Sequence, residues 1–321
     1  MGFNFLEYRN MLSRVASSLY WLSRYVERSD GMLRMLKTNY ASSQDTIQEF
    51  TWKPVIRIFS SDDENELLNI QHDSRAVIEY LLLNRENQNS ILNIVTLARE
   101  NARSVQEHIP KDLWQSLNEY YHAVKDEKLL WYVQKDDPVT AFDVLIKQVM
   151  LYNGTADSVM ERGESRSFMN IGKHLERSIQ SVDILDIKFS SISSNPDLLT
   201  DISYWKHLLL SLGGYELYLK TYRQGFDAKN IIELVMLNND FPRSVLYAMN
   251  NIERYFNRLK SESNIEHYNN LSFKIGRLKS MITYSSVNTM NEEQLHHYLT
   301  EIRAELFGIG NLLNEYYFAN S

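Results

Sequence analysis

Two stretches of the chain, "SRYVERS" (23–29) and "GKHLERS" (172–178), share one pattern: small, basic, aromatic ring, aliphatic, Glu, Arg, Ser. They lie 149 positions apart (176 minus 27). Around the first, Val15, Ala16, Leu19, Leu22, Val26, Leu33 and Leu36 fall mostly three, four or seven apart, the stripe of an amphipathic helix. Sliding the chain by the same offset lays Leu19 on Phe168, Leu22 on Ile171, Val26 on Leu175 and Leu33 on Val182, so the same kind of helix occurs twice. Two more landmarks follow in the same order. "TWKPVI" (51–56) matches "YWKHLL" (204–209), and "EYLLLNRENQNSI" (79–91) matches "ELVMLNNDFPRSV" (233–245), sharing Glu79/Glu233, Leu83/Leu237, Asn84/Asn238 and Ser90/Ser244. Their offsets, 153 and 154, require only small insertions of the kind loops accept. An internal duplication is the economical reading. The expected fold is therefore all-α: a helical bundle of two similar halves, about 11–150 and 151–321, packed about a pseudo-twofold axis.

Composition agrees with helices. In 321 residues there are 11 Gly and 5 Pro, too little turn chemistry for many strands, while 44% hydrophobic content suffices for a buried core. The formal charge of -7 is mixed along the chain, without the basic stripe of a nucleic-acid binder or the basic patch that suits an anionic membrane. The lack of Cys removes disulfides, thiolate metal sites and a cysteine nucleophile together. No apolar run approaches the roughly 18 residues of a membrane span. The start "MGFNFLEYRNMLSR" has no signal-type stretch, and Leu6 stands where N-myristoylation wants Ser or Thr. A cytoplasmic protein with neither nucleic-acid nor membrane partner is expected.

Other elements follow from local signals. Residues 90–109 place Ile91, Ile94, Val95, Ala98 and Val105 on one helical face, with Ser90 as the cap. Asp240 is expected to cap the helix that follows it, with Pro242 in its first turn. "FSSDDENE" (59–66), "QKDDP" (134–138) and "SSISSNPD" (190–197) read as linkers, and residues 295–318 as a closing helix whose aromatic rings pack on the bundle.

The Glu-Arg pairs carry the chemistry. Four residues before each Glu, directly beneath it on a helix, stands Ser23 or Gly172, which leaves room for a close neighbour. A carboxylate so placed is half buried and must be paired. Glu27 and Glu176 are expected to face related helices near the pseudo-axis, each taking a guanidinium from the other half or from "ARENARS" (98–104). Two readings stay open. The pairs are a structural network that fixes how the halves dock, or they line a cleft for a carboxylate or phosphate group, with Glu27 and Glu176 as the candidate catalytic acid and base. In that case Arg28, Arg177, Arg99 and Arg103 would clamp the anion.

Weaker candidates remain. Arg99 and Arg103 share a face with Glu100 beside them, which suits either an exposed ion-pair helix or an anion. Gly213 and Gly214, before Tyr215 and Glu216, mark close packing, a helix break or a ligand contact. No GxxxxGK[ST] loop is present and no cofactor is expected. "EYYH" (119–122) and "EQLH" (293–296) have the Glu-x-x-His spacing of di-iron bundles, but both pairs lie opposite their helices' apolar residues and should face outward, so no metal is expected. His174 stands where the other stretch has Tyr25, an aromatic packing position.

Taken together, "MLSRVASSLYWLSRYVERSD", "ARENARSV", "LGGYELY", "FMNIGKHLERS" and "FPRSV" make the chain resemble the alpha-E domain family, a bacterial all-helical family named for its Glu-Arg motif. The resemblance runs from Met11 to near the C-terminus and leaves residues 1–10 as an N-terminal extension to a single domain, 11–321. Where the family usually has an Asn-Pro step, this chain has "NQNS" (87–90). Members are typically encoded beside a circularly permuted ATP-grasp ligase and a transglutaminase-like protein. The resemblance thus implies an accessory or binding subunit of a system that acts on amide or peptide linkages, with those two proteins as partners. Its rival is an enzyme of that pathway working through Glu27 and Glu176. A homo-oligomeric structural protein, the third option, calls for a large exposed apolar patch. Beside the two carboxylates, the candidate binding residues are Arg24, Arg28, Arg177, Arg99, Glu100, Asn101, Arg103, Tyr215, Glu216 and Arg243.

Overall fold

The computed structural model describes residues 11, 13–45, 51–59, 67, 69–194, 201–223 and 225–318. The expected extension 1–10 and residues 60–66 and 195–197 of the expected linkers lie outside them.

Apolar residues at helical spacing give fourteen α-helices and no strand among the described residues. In the first part of the chain these are α1 (Ser13–Asp45), α2 (Lys53–Phe59), α3 (Ser74–Leu83), α4 (Ile91–Ser104), α5 (Lys111–Val124), α6 (Glu127–Lys135) and α7 (Pro138–Val159). The second part holds α8 (Glu164–Ser194), α9 (Ile202–Leu212), α10 (Tyr215–Thr221), α11 (Ala228–Leu237), α12 (Val245–Phe256), α13 (Ile265–Thr283) and α14 (Glu292–Leu313), followed by a π turn, Asn314–Phe318. Residues 190–194, expected in a linker, continue α8 instead. Of "QKDDP", only Asp136 and Asp137 connect helices, and Asp137 already caps α7 by accepting from the Val139 amide.

The two long helices, α1 and α8, pack along each other at the centre. Helices α4 and α7 cover α1, while α12 and α14 cover α8. The two helices that carry the "W-K" landmark cross over: α9 lies on α1, and α2 touches α8. Their indoles, Trp52 and Trp205, are buried in one continuous apolar core. Rings at the chain's end close that core, with Phe318 5.1 Å from Tyr20 and 5.9 Å from Phe168.

Helix ends follow side-chain chemistry. Ser90 caps α4 as expected, its hydroxyl accepting from the Asn93 amide. The helix stops at Ser104, and residues 106–108 tighten into a 3-10 turn. The expected Asp240 cap is corrected: α12 starts at Val245, and its cap is Ser244, whose hydroxyl accepts from the Tyr247 amide. The reason is local. Asn238 Oδ1 takes the amides of Asp240 and Phe241, and the Ser244 amide donates to the Phe241 carbonyl, which holds 238–244, Pro242 included, as a turn. Asn84 does the same before α4, taking the amides of Glu86 and Asn87, so the "NQNS" turn is fixed without a proline. The Gly-Gly pair is a helix break. Gly213, at φ 66°, ends α9 in the left-handed region, and a side chain on Gly214 would collide with the Phe241 ring. Among the described residues no helix is long and apolar enough to cross a membrane.

Candidate functional site

The middle of α1 carries a polar stripe inside the core: Ser23, Arg24, Glu27, Ser29 and Asp30 are all buried. Helix α8 faces it with Ser167, His174, Glu176, Ser178, Gln180 and Ser181. Polar groups so deep are tolerable only when every charge finds a partner. For the two motif carboxylates the first partner comes from the other long helix.

Arg177 reaches from α8 to Glu27, its Nε donating to Oε1 at 2.7 Å and its Nη2 to Oε2 at 2.8 Å, a bidentate pair. Arg28 returns the arrangement from α1, Nε donating to Glu176 Oε1 at 2.7 Å and Nη2 to Oε2 at 3.3 Å. Each carboxylate then receives a second guanidinium. Arg24 donates to Glu176 through Nε at 2.8 Å and lies 2.7 Å away through Nη2, while its Nη1 donates to the Tyr20 hydroxyl. Arg243, from the turn before α12, sits 3.3 Å from Glu27 and also pairs with Asp30, which holds Arg34 as well. Glu27 and Glu176 are 1% and 2% exposed.

Close helix approach makes these lengths possible. Gly172 packs against the backbone of Tyr20, and a Cβ there would run into the Tyr20 carbonyl, 3.1 Å from its carbon. The small residue beneath the motif therefore makes room for a neighbouring helix. The Ser residues of the motif do not join the ion network. Ser29 and Ser178 donate back to the carbonyls of Val26 and Leu175, and the Tyr120 hydroxyl donates to Ser29.

Electrostatics follow from this packing. Burial pushes the Glu27 carboxyl up, but the Arg177 and Arg243 guanidiniums outweigh burial and hold it well below the usual carboxylate range. Glu176 is likewise held down by Arg28 and Arg24 against the effect of burial. Both are ionised and saturated with donors. A general acid or base needs a pKa near the working pH and reach to a substrate, and neither carboxylate has them. The space beside Glu27 is a cavity of about 20 Å³ lined in part by Ser23, Tyr152, Asn153 and Lys173, room for roughly one water. Beside the arginines of Glu176 the surface opens into a cleft of about 460 Å³, onto which Trp21, Arg24, Tyr25 and Arg28 face.

His174 fulfils the aromatic role expected of it, with Tyr247 and Tyr255 rings at 5.9 and 6.4 Å. Burial, with Arg177 and Lys173 adding to it, pushes its pKa well below the ordinary value. The unfolded chain therefore takes up a proton below about pH 6.5 that the folded chain refuses, and stability falls as the pH drops through that value. The depressed carboxylates contribute stability that is present above about pH 4.3 and lost as the pH falls below it. Urea unfolding from pH 8 to 3 should thus show two descending limbs, and His174→Phe should remove the upper one alone. A flat profile from pH 8 to 5 in the parent protein would refute this account of His174.

The structure gathers Glu27, Glu176, Arg24, Arg28, Arg177 and Arg243, and places the other candidates elsewhere. Of the two expected sources of guanidinium, the other half supplies it and "ARENARS" does not. Arg99 donates to Asn118 and lies over the Tyr121 ring, and Glu100 takes Arg99 and Arg103 at 3.1 and 3.7 Å on the outer side of α4. Asn101 donates back to the Leu97 carbonyl. Tyr215 stacks on Phe226, and Glu216 is exposed. Both Glu-x-x-His pairs face outward as expected, and among the described residues no group of three or more His, Asp or Glu is placed to hold a metal ion. Sequence reasoning missed Asp30, one turn beyond Glu27, and Tyr20 and Trp21, one turn or more before Arg24 and Tyr25. Helical spacing around the motif was the signal that could have found them.

Neither a curated protein nor a solved structure matches the chain. One family does: alpha-E, described as a predicted alpha-helical domain with a conserved ER motif, matches residues 11–318. The Glu-Arg motif that gives the family its description is the pair that crosses between α1 and α8, and the match spans nearly the whole chain. The chain belongs to the alpha-E family.

Proposed function

We propose that the chain is a non-catalytic, cytoplasmic binding subunit that works beside an ATP-grasp ligase and a transglutaminase-like protein in a system acting on amide or peptide linkages. One observation carries the non-catalytic part: both motif carboxylates are sealed, ionised and each held by two arginines, one of them a bidentate partner from the opposite long helix. A group so held moves no proton. What it does is fix two helices against each other and, through Arg24 and Arg28, present a cationic wall to the surface.

The same reading takes the chain as two duplicated halves about a pseudo-twofold axis. Support comes from the reciprocal pairing of Glu27 with Arg177 and of Glu176 with Arg28, from the matching Ser90 and Ser244 caps, and from the Asn84 and Asn238 turns before them.

The test is purification of the C-terminally tagged protein from its native host at native level. An ATP-grasp ligase or a transglutaminase-like protein should co-purify in comparable amount. A chain recovered without either would overturn the reading.

A further inference from the structure

One difference between the matched stretches falls at the cleft beside Glu176. At the 154-residue offset, Arg243 corresponds to Asn89. Arg243 is long, charged and buried, and it fills the space next to Arg177 and Glu27. Asn89 is short and neutral, and it leaves Arg28 open to a cleft of about 460 Å³.

Arg28 offers that cleft a defined group. A guanidinium has two edges able to grip a pair of oxygens. Glu176 occupies the Nε/Nη2 edge. The Nη1/Nη2 edge meets only a long contact, 3.4 Å from Nη1 to Asn89 Oδ1, and the side chain is 27% exposed. Charge points the same way. Arg24 and Arg28 share the single carboxylate of Glu176, and among the described residues lining the cleft these two arginines are the only charged ones, which leaves one positive charge uncompensated. A monoanion balances it.

The remaining walls select what the anion is attached to. Trp21 and Tyr25 form an aromatic side, and Leu97 and Phe307 add exposed apolar surface. Side-chain amides of Asn311 and Asn314 add both donors and acceptors to the lining. Amide groups beside an arginine and an apolar wall match the end of a polypeptide: carboxylate, backbone amides, side chain. We propose that this cleft binds the free carboxyl end of a peptide whose last residue is aromatic or large and apolar, the carboxylate lying on the open edge of Arg28. The proposal rests on the reading of the chain as a binding subunit for a system that handles peptide linkages, and names what it holds.

Calorimetric titration of the whole protein tests it with three probes: N-acetyl-Ala-Ala-Phe, the same peptide with an amidated end, and inorganic phosphate. The free acid should bind at least tenfold more tightly than the amide, and phosphate should not displace it. A Gln88→Glu, Asn311→Glu double variant places two carboxylates at exposed positions on the cleft, outside the ion network, and should bind the acid at least tenfold more weakly while melting like the parent. Equal binding of acid and amide, preference for phosphate, absence of peptide binding, or an unaffected double variant would each overturn the assignment. Failure here with the two partner proteins still recovered by co-purification removes only the cleft's ligand. Peptide binding without those partners removes the partnership and leaves the cleft.

Discussion

Glu27→Gln should lower the free energy of unfolding by about 3–5 kcal/mol, the usual cost of removing one member of a buried ion pair. The substitution keeps the volume and changes only charge and donors. Arg177 loses the bidentate acceptor of its Nε and Nη2, and Arg243 keeps Asp30 as its carboxylate partner. An amide nitrogen would moreover face a guanidinium, donor against donor. The cavity beside Glu27 has room for roughly one water, too little to replace the carboxylate for two guanidiniums. Urea denaturation monitored by circular dichroism measures the change. A loss below 1 kcal/mol would mean that the network is not what holds the two helices.

Gly172→Ala should be nearly as damaging, through shape alone. In a helix interior, Ala is worth about 1 kcal/mol more than Gly, so propensity favours the substitution. Sterics reverse the sign, because the added methyl group meets the backbone of Tyr20, which has no rotamer to yield. Overpacking a fixed contact typically costs about 1–3 kcal/mol, and here separation of α1 from α8 would also lengthen every guanidinium contact between them. A net loss of about 2 kcal/mol or more is expected. Gly154→Ala on α7 is the control: nothing lies within 4 Å of its added Cβ, so propensity alone should act and stability should rise by up to about 1 kcal/mol. If both substitutions stabilise, the close approach at Gly172 is not real.

These two sites show what the sequence could and could not tell. The spacing of Val15, Leu19, Leu22 and Val26 sufficed for α1, because a helix's buried face is a local property with a local period. The Ser90 cap was readable for the same reason, and Asp240 misled because Asn238 and Ser244, also good capping residues, divide the turn between them. Burial of Glu27 was legible from the small residue beneath Glu176 and its counterpart, since a missing side chain implies a near neighbour. The identity of that neighbour was not. Arg28 and Arg99 are chemically the same, and only the packing of α4 turns Arg99 outward onto Tyr121 and Asn118. The cleft was harder still, for its walls come from α1, the turn at 88–89, α4 and the end of α14, segments that no local pattern connects.

The crossed motif also bears on the order in which the chain becomes ordered. The bonds from Arg24, Arg28 and Arg177 join residues 148 to 152 positions apart, and Arg243 reaches Asp30 across 213. Loops of this length close late, after local helices have formed, and the entropy of closing them must be met before the ion pairs contribute. During synthesis from the N-terminus, α1 emerges with Glu27, Arg24 and Arg28 all facing a surface that does not yet exist. Until α8 arrives, the face that carries those charges has no guanidinium or carboxylate of α8 to meet. The contact that locks the finished molecule is therefore among the last that the growing chain can make.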